Sequence, residues 1–197
     1  MAPQYLRPSA RGSAFHRRLL RIACIVAACW CGVAWPAPPA AAAEYQVKAA
    51  YLFNFGQFVE WPLRAYDSPG APFVIGVVGD DPFGKILDEV IKGESLGGHP
   101  LVVRRFRNPE DISACNILFI GRSEAARLDE TLKVLQGRSV LTVTDIAGAE
   151  RRGAIIVLVN ENNRIRMRIN VAAAKASNLI ISSKLLRPAE VIGSEGG

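Results

Sequence analysis

Three short stretches of this chain are apolar almost from end to end: Phe73 to Val78, Asn116 to Ile120 and Val140 to Val143. Runs of this length, bounded by turn residues and lacking polar alternation, describe strands covered on both faces. Such strands need helices above and below them, which commits the chain to an α/β layer fold. The segments between them supply those helices. Phe83, Ile86, Leu87, Val90 and Ile91 form an inner face, with Asp80-Asp81-Pro82 as the predicted start and Gly93 just past the end. Ala126, Leu128, Leu132 and Leu135 form another, predicted to be capped by Ser123 and ended by Gly137. Gly97-Gly98 turn into a further strand, Leu101-Val102-Val103, whose alternation degrades into Arg104, Arg105 and Arg107.

The pattern changes toward the C-terminus. Ala154 to Val159 reads as a strand, Glu161-Asn162-Asn163 as a turn, and Arg164 to Ile169 alternates strictly. Ile165, Met167 and Ile169 point one way and Arg164, Arg166 and Arg168 the other, as in an antiparallel hairpin at a sheet edge. Val171 to Ala176 is a short helix, and Leu179 to Leu186 fits either a strand or a last helix. Toward the N-terminus, Val47 to Val59 reads as a helix whose stripe is Val47, Ala50, Tyr51, Asn54, Phe55 and Phe58, ended by Pro62. The expected architecture is a single layered α/β domain. It has a mostly parallel central sheet, helices on both faces and an antiparallel C-terminal hairpin.

Ahead of this domain, Arg17, Arg18 and Arg21 precede an apolar run from Ile22 to Trp35 that exits through Ala40-Ala41-Ala42-Ala43. That is the layout of a secretory signal peptide, and the run is shorter than the ~20 residues that span a bilayer. Residues 1–43 are assigned as the leader and 44–197 as the domain. Val26-Ala27-Ala28-Cys29 also resembles a lipoprotein processing box, which would put a lipid on Cys29 instead. The chain carries +6, but the leader holds five arginines and no acid, leaving 19 basic against 18 acidic residues beyond it. A near-neutral domain offers no electrostatic footprint for nucleic acid. Cys24, Cys29 and Cys31 leave with the leader, so Cys115 remains unpaired in the mature chain. It opens an apolar run, which points to burial.

Catalytic patterns are absent. His99 is the one histidine beyond the leader, and no G-x-S-x-G elbow occurs. One histidine and one cysteine fall short of a metal site, so neither a metal nor another cofactor is expected. Asp80 and Asp81 follow a buried strand, where α/β folds collect ligands, but Pro82 directly after them favours a helix cap over a magnesium site. The binding candidates are therefore surface features. They are Phe53 and Trp61, off the aromatic helix stripe; Asp80, Asp81 and Arg122, at strand ends; and the row Arg164, Arg166, Arg168. A row of arginines also suits a solvated face that discourages edge pairing.

Several of these segments together resemble the YfiR family of periplasmic proteins. The opening signature is Tyr45-Gln46-Val47-Lys48-Ala49-Ala50-Tyr51-Leu52-Phe53-Asn54-Phe55, continuing through Phe58-Val59-Glu60-Trp61-Pro62. Ile75 to Gly84, Cys115 to Ile120, Leu141 to Asp145, Arg166 to Asn170 and Ile181 to Leu186 match in order. The resemblance implies a non-catalytic periplasmic regulator that binds the periplasmic sensor region of an inner-membrane diguanylate cyclase and holds it inactive. The resemblance further implies that an outer-membrane lipoprotein helps release, and that the raised cyclic-di-GMP then favours biofilm. It also implies a homodimer with disulfides, but here only one family cysteine, Cys115, has a counterpart. The alternative reading is a periplasmic small-ligand binder, with its cleft near Asp80, Asp81, Gly121 and Arg122.

Overall fold

The structure is a computed structural model that describes residues 40–66 and 68–193. Most of the assigned leader, including Cys29, lies outside the described residues; Ala40 to Ala43 form the first turn of helix α1 (Ala40–Phe58). The helix thus starts seven residues before the sequence pattern suggests and hands over to strand β1 (Val59–Glu60) before Pro62 is reached.

Eight strands form the main sheet. β2 (Phe73–Val78), β4 (His99–Phe106), β5 (Ile117–Ile120), β6 (Leu141–Thr144) and β7 (Ile156–Glu161) run parallel. β8 (Arg164–Asn170) is antiparallel to β7 through a turn in which Asn162 and Asn163 both adopt positive φ, the geometry that matches strand twist in a two-residue hairpin. The order is β10-β8-β7-β6-β5-β2-β4-β3, with β3 (Ser95–Leu96) and β10 (Glu190–Ile192) at the edges. The C-terminal hairpin is therefore not the edge, since β10 lies parallel against β8. A separate two-stranded piece pairs β1 with β9 (Ile180–Ile181), tying the N-terminal helix to the C-terminal region. The stretch from Leu179 to Leu186 resolves into both options: β9, then helix α5 (Ser183–Leu186).

Two cores flank the sheet, as double burial of its strands requires. On one face Phe73, Ile75, Val77, Phe119, Val143, Ile156, Met167 and Ile169 pack beneath α1, α2 (Lys85–Ile91), α4 (Val171–Ala176) and α5. On the other, Val74, Val78, Leu118, Ile120 and Val157 pack with Leu128 and Leu135 from the region of α3 (Leu128–Val134). Gly76 alternates onto this second face, where a Cβ would stand 2.9 Å from both Leu118 and Phe106. A side chain there would displace the Phe106 ring.

Three local expectations are corrected. Pro82 does not begin α2; Asp81 Oδ1 accepts from the Phe83 amide at 2.8 Å, an Asx turn that delays the helix to Lys85. Ser123 does not cap α3. Its Oγ accepts from the Asp80 amide at 2.9 Å, and a 3-10 stretch, Arg122–Arg127, precedes the helix. The inward face of α1 is Lys48, Ala49, Leu52, Phe55 and Gly56, while Val47 is 47% exposed and Ala50 and Asn54 face solvent. The inward face is rotated from the periodic stripe because its first residue is a buried lysine, a type that hydrophobic periodicity counts as outward.

Candidate functional site

The chain reverses direction across the sheet between β2 and β5: β4 lies on one side of β2, and β5, β6 and β7 follow on the other. Open α/β sheets bind ligands in the crevice at the carboxyl ends of such strands. Here the ends of β2 and β5 approach each other closely. A Cβ on Gly121 would lie 2.9 Å from the Asp80 carbonyl oxygen, and one on Gly79 would lie 2.4 Å from Ser123 Oγ. Two glycines thus allow the ends of β2 and β5, and Ser123 beyond them, to pack closely.

Beside these strand ends, α1 inserts a charged cluster over the end of β6. Lys48, fully buried, places its ammonium 2.6 Å from Oδ2 of Asp145, which is equally sequestered. The same oxygen accepts from the Tyr45 hydroxyl at 2.9 Å and lies 3.1 Å from Arg122 Nε. Glu44, one turn before Lys48, forms an ion pair with it and accepts from Asn160 Nδ2 at 2.7 Å. Burial pushes the Glu44 carboxyl up, but hydrogen bonds from Lys48 and Asn160 and the charges of Lys48 and Arg122 outweigh it and hold the group below its ordinary range. Burial, and then the hydrogen bond to Asp145, raise the Tyr45 phenol to about 12, so it stays a neutral donor. Two acids face two bases, with the lysine and the aspartate shielded from water. This cluster fixes the position of α1 rather than offering reactive groups.

The outer side of α1 is different. Between it and the β7–β8 hairpin runs a groove of about 480 Å³ lined by Ala43, Glu44, Val47, Tyr51, Asn160, Asn163, Arg164 and Ile165. Exposed Val47 and half-buried Tyr51 and Ile165 give it an apolar floor, with Arg164 at the rim. Apolar centre and charged rim are the usual makeup of a protein contact patch.

The candidates named from sequence disperse over the surface. Phe53 is half-buried against the main core. Trp61 is half-buried too: its Nε1 donates to the Gly56 carbonyl at 3.2 Å and its ring meets Phe73 edge-on at 5.1 Å. Asp80 is exposed just past the carboxyl end of β2. Asp81 turns aside to Arg105, whose Nε lies 2.6 Å from its Oδ2. Arg105 also holds Asp88 at 2.6 Å, and this contact keeps the Asp88 carboxyl below its ordinary range. Arg122 belongs to the α1 cluster. The arginine row is split. Arg168 lies among Glu150, Glu161 and Glu190, which secures β10 at the edge, whereas Arg164 and Arg166 are exposed with no carboxylate within 4 Å among the described residues. Arg164 alone joins the groove. Val47 and Tyr51, which complete that groove, belong to the helix stripe expected from sequence, and Lys48 and Asp145 carry no signal beyond membership of matching segments. Cys115 is buried and unpaired. Among the described residues, no three His, Cys, Asp or Glu side chains are grouped as a metal would need, and no helix is long and apolar enough to cross a membrane.

A family model described as YfiR/HmsC-like matches residues 45–190, from the first turns of α1 to the start of β10. The chain belongs to the YfiR/HmsC-like family. The match includes the buried Lys48–Asp145 pair and all of the sheet except the last two residues of β10. Comparison with curated proteins finds no match. Membership of the YfiR/HmsC-like family points to a periplasmic regulator of cyclic-di-GMP signalling.

Proposed function

We propose that this protein is a non-catalytic periplasmic regulator that binds the periplasmic sensor region of an inner-membrane diguanylate cyclase and holds the enzyme inactive. The family match over residues 45–190 carries this reading. Inhibition works by population shift: the regulator binds the inactive sensor more tightly than the active one, and the equilibrium follows that difference in affinity. The groove between α1 and the β7–β8 hairpin is the proposed contact, with Val47 and Tyr51 as apolar anchors and Arg164 as the charge at its rim. Arg166, exposed on the same strand, extends it. An outer-membrane lipoprotein that competes for the regulator would release the cyclase, and the working form is a homodimer exported by the 1–43 leader.

Deleting the gene and measuring cyclic-di-GMP tests the reading directly. A several-fold rise is expected, and unchanged levels overturn it. Restoring the gene with Arg164→Glu locates the contact: the variant folds normally yet fails to lower cyclic-di-GMP. Full complementation by that variant removes the groove from the proposal.

A second reading, small-ligand binding, is favoured by a different feature. That feature is a cavity at the opposite end of the sheet from Asp80, Asp81, Gly121 and Arg122.

A further inference from the structure

At the amino-terminal ends of β5 and β6, on the α3 side of the sheet, lies a cavity of about 290 Å³. Three arginines converge on it from separate elements. Arg64 comes from the 3-10 turn after β1, Arg104 from within β4, and Arg138 from the loop before β6. Main-chain oxygens hold two of them in place. Arg138 donates to the carbonyls of Ile112 (3.2 Å) and Ser113, and Arg104 to that of Ala114 at 3.4 Å. Among the described residues, Arg64 makes only a 3.4 Å contact to Ser139 Oγ.

No acidic side chain is among the described residues that line the cavity, and none of the three guanidiniums has a carboxylate within 4 Å among the described residues. Arg105, Arg122, Arg127, Arg152 and Arg168, elsewhere on the surface, are each paired with an acid. Cys115 lines the cavity but supplies no negative charge. Burial raises its thiol to about 11, against the pull of Arg138 and Arg104. The wall is rigid: Asn116 accepts from the Val74 amide at 2.8 Å through Oδ1 and donates to the Ala65 carbonyl at 2.8 Å through Nδ2. Three positive charges thus face one concavity, two of them pinned by neutral carbonyls, with N–H groups left over on every guanidinium.

We propose that this cavity binds a small oxyanion, a phosphate ester or a polycarboxylate, through Arg64, Arg104 and Arg138. The guanidinium fork matches the planar oxygens of both groups, and the site is already assembled, so binding needs little reordering. The volume is at the small end of the ligand-pocket range of roughly 300–1,000 Å³, which suits a metabolite rather than a macromolecular segment. The inference is independent of the regulatory reading. It predicts a ligand whether or not a cyclase is the partner.

Calorimetric titration of the purified protein with sodium phosphate and with sodium citrate, at matched ionic strength in chloride, tests the proposal. Saturable binding of at least one probe is expected, and the tighter of the two identifies the phosphate or carboxylate source. Arg64→Gln and Arg104→Gln should each weaken binding about tenfold or more, as expected for loss of a charged hydrogen bond. Arg166→Gln, remote from the cavity, should leave it unchanged. Bound probe should also slow alkylation of Cys115, which lies in the cavity wall. Arg64 is exposed and lightly tethered, so its variant carries the test even if Arg104→Gln does not fold. Absence of saturable binding by both probes, binding undiminished in Arg64→Gln, or equal weakening by Arg166→Gln would overturn the assignment.

Discussion

Asp145→Asn isolates what the buried cluster contributes, because asparagine keeps the shape of the side chain and removes only its charge. In the native protein Asp145 Oδ2 sits 2.6 Å from a lysine with no solvent exposure. Breaking a buried ion pair from one side typically costs about 3–5 kcal/mol, since the remaining charge stays desolvated. Two features of this site place the value at the lower end. Glu44 still faces Lys48, and the amide oxygen of asparagine can still accept from Tyr45. Arg122 is largely exposed, and its loss of a partner adds about 1 kcal/mol at most. A loss of about 3 kcal/mol is expected, which for a domain of this size lowers Tm by about 6–12 °C. Lys48→Met should cost a comparable amount. The double variant should be far less damaged than the sum, because neither charge is then left unpaired. Urea unfolding of the four proteins, followed by circular dichroism, measures the cycle. Single variants within 1 kcal/mol of wild type, or strictly additive losses, would refute the idea that this pair anchors α1.

Three further outcomes follow from the geometry. The Glu44 carboxyl is held below its unfolded value of 4.5, so its stabilisation is complete above that pH and is lost as pH falls through the folded value; Glu44→Gln should flatten the acid limb of a Tm-against-pH curve and leave its neutral plateau shape intact. Cys115, raised to about 11, should react with a thiol reagent at pH 8 far more slowly in the native state than in urea, and equal rates would show the thiol to be accessible. Gly121→Ala should cost about 1–3 kcal/mol in denaturant unfolding, although its φ of −65° suits alanine, because the new methyl would press on the Asp80 and Val78 carbonyls at 2.9 and 3.2 Å.

The sheet was readable from sequence because its strands are buried on both faces: Phe73 to Val78 and Ile117 to Ile120 have no polar position to confuse the pattern. The β7–β8 hairpin was readable for the opposite reason, since strict alternation and two asparagines with positive φ fix both register and turn. Polar side chains with long-range partners were the obstacle elsewhere. Lys48 marked the inward face of α1, yet its partner lies 97 residues away, and hydrophobic periodicity treats lysine as outward. Asp81 and Ser123 looked like helix caps, but Asp81 serves an Asx turn and Arg105, while Ser123 serves the amide of Asp80. β10, three residues long and held by Arg168 through Glu190, has no local pattern to detect. The arginine cavity has no local sequence signature, because Arg64, Arg104 and Arg138 meet through tertiary packing.

The bracing of α1 also dictates when it can settle. Its internal charge partner and the strand that clasps its end, β9, belong to the last third of the polypeptide. A chain delivered N-terminus first, from a ribosome or through a membrane pore, must hold this opening helix in waiting until nearly everything else has arrived. The pairing of Lys48 with Asp145 spans 97 residues, the kind of long loop whose closure entropy slows folding.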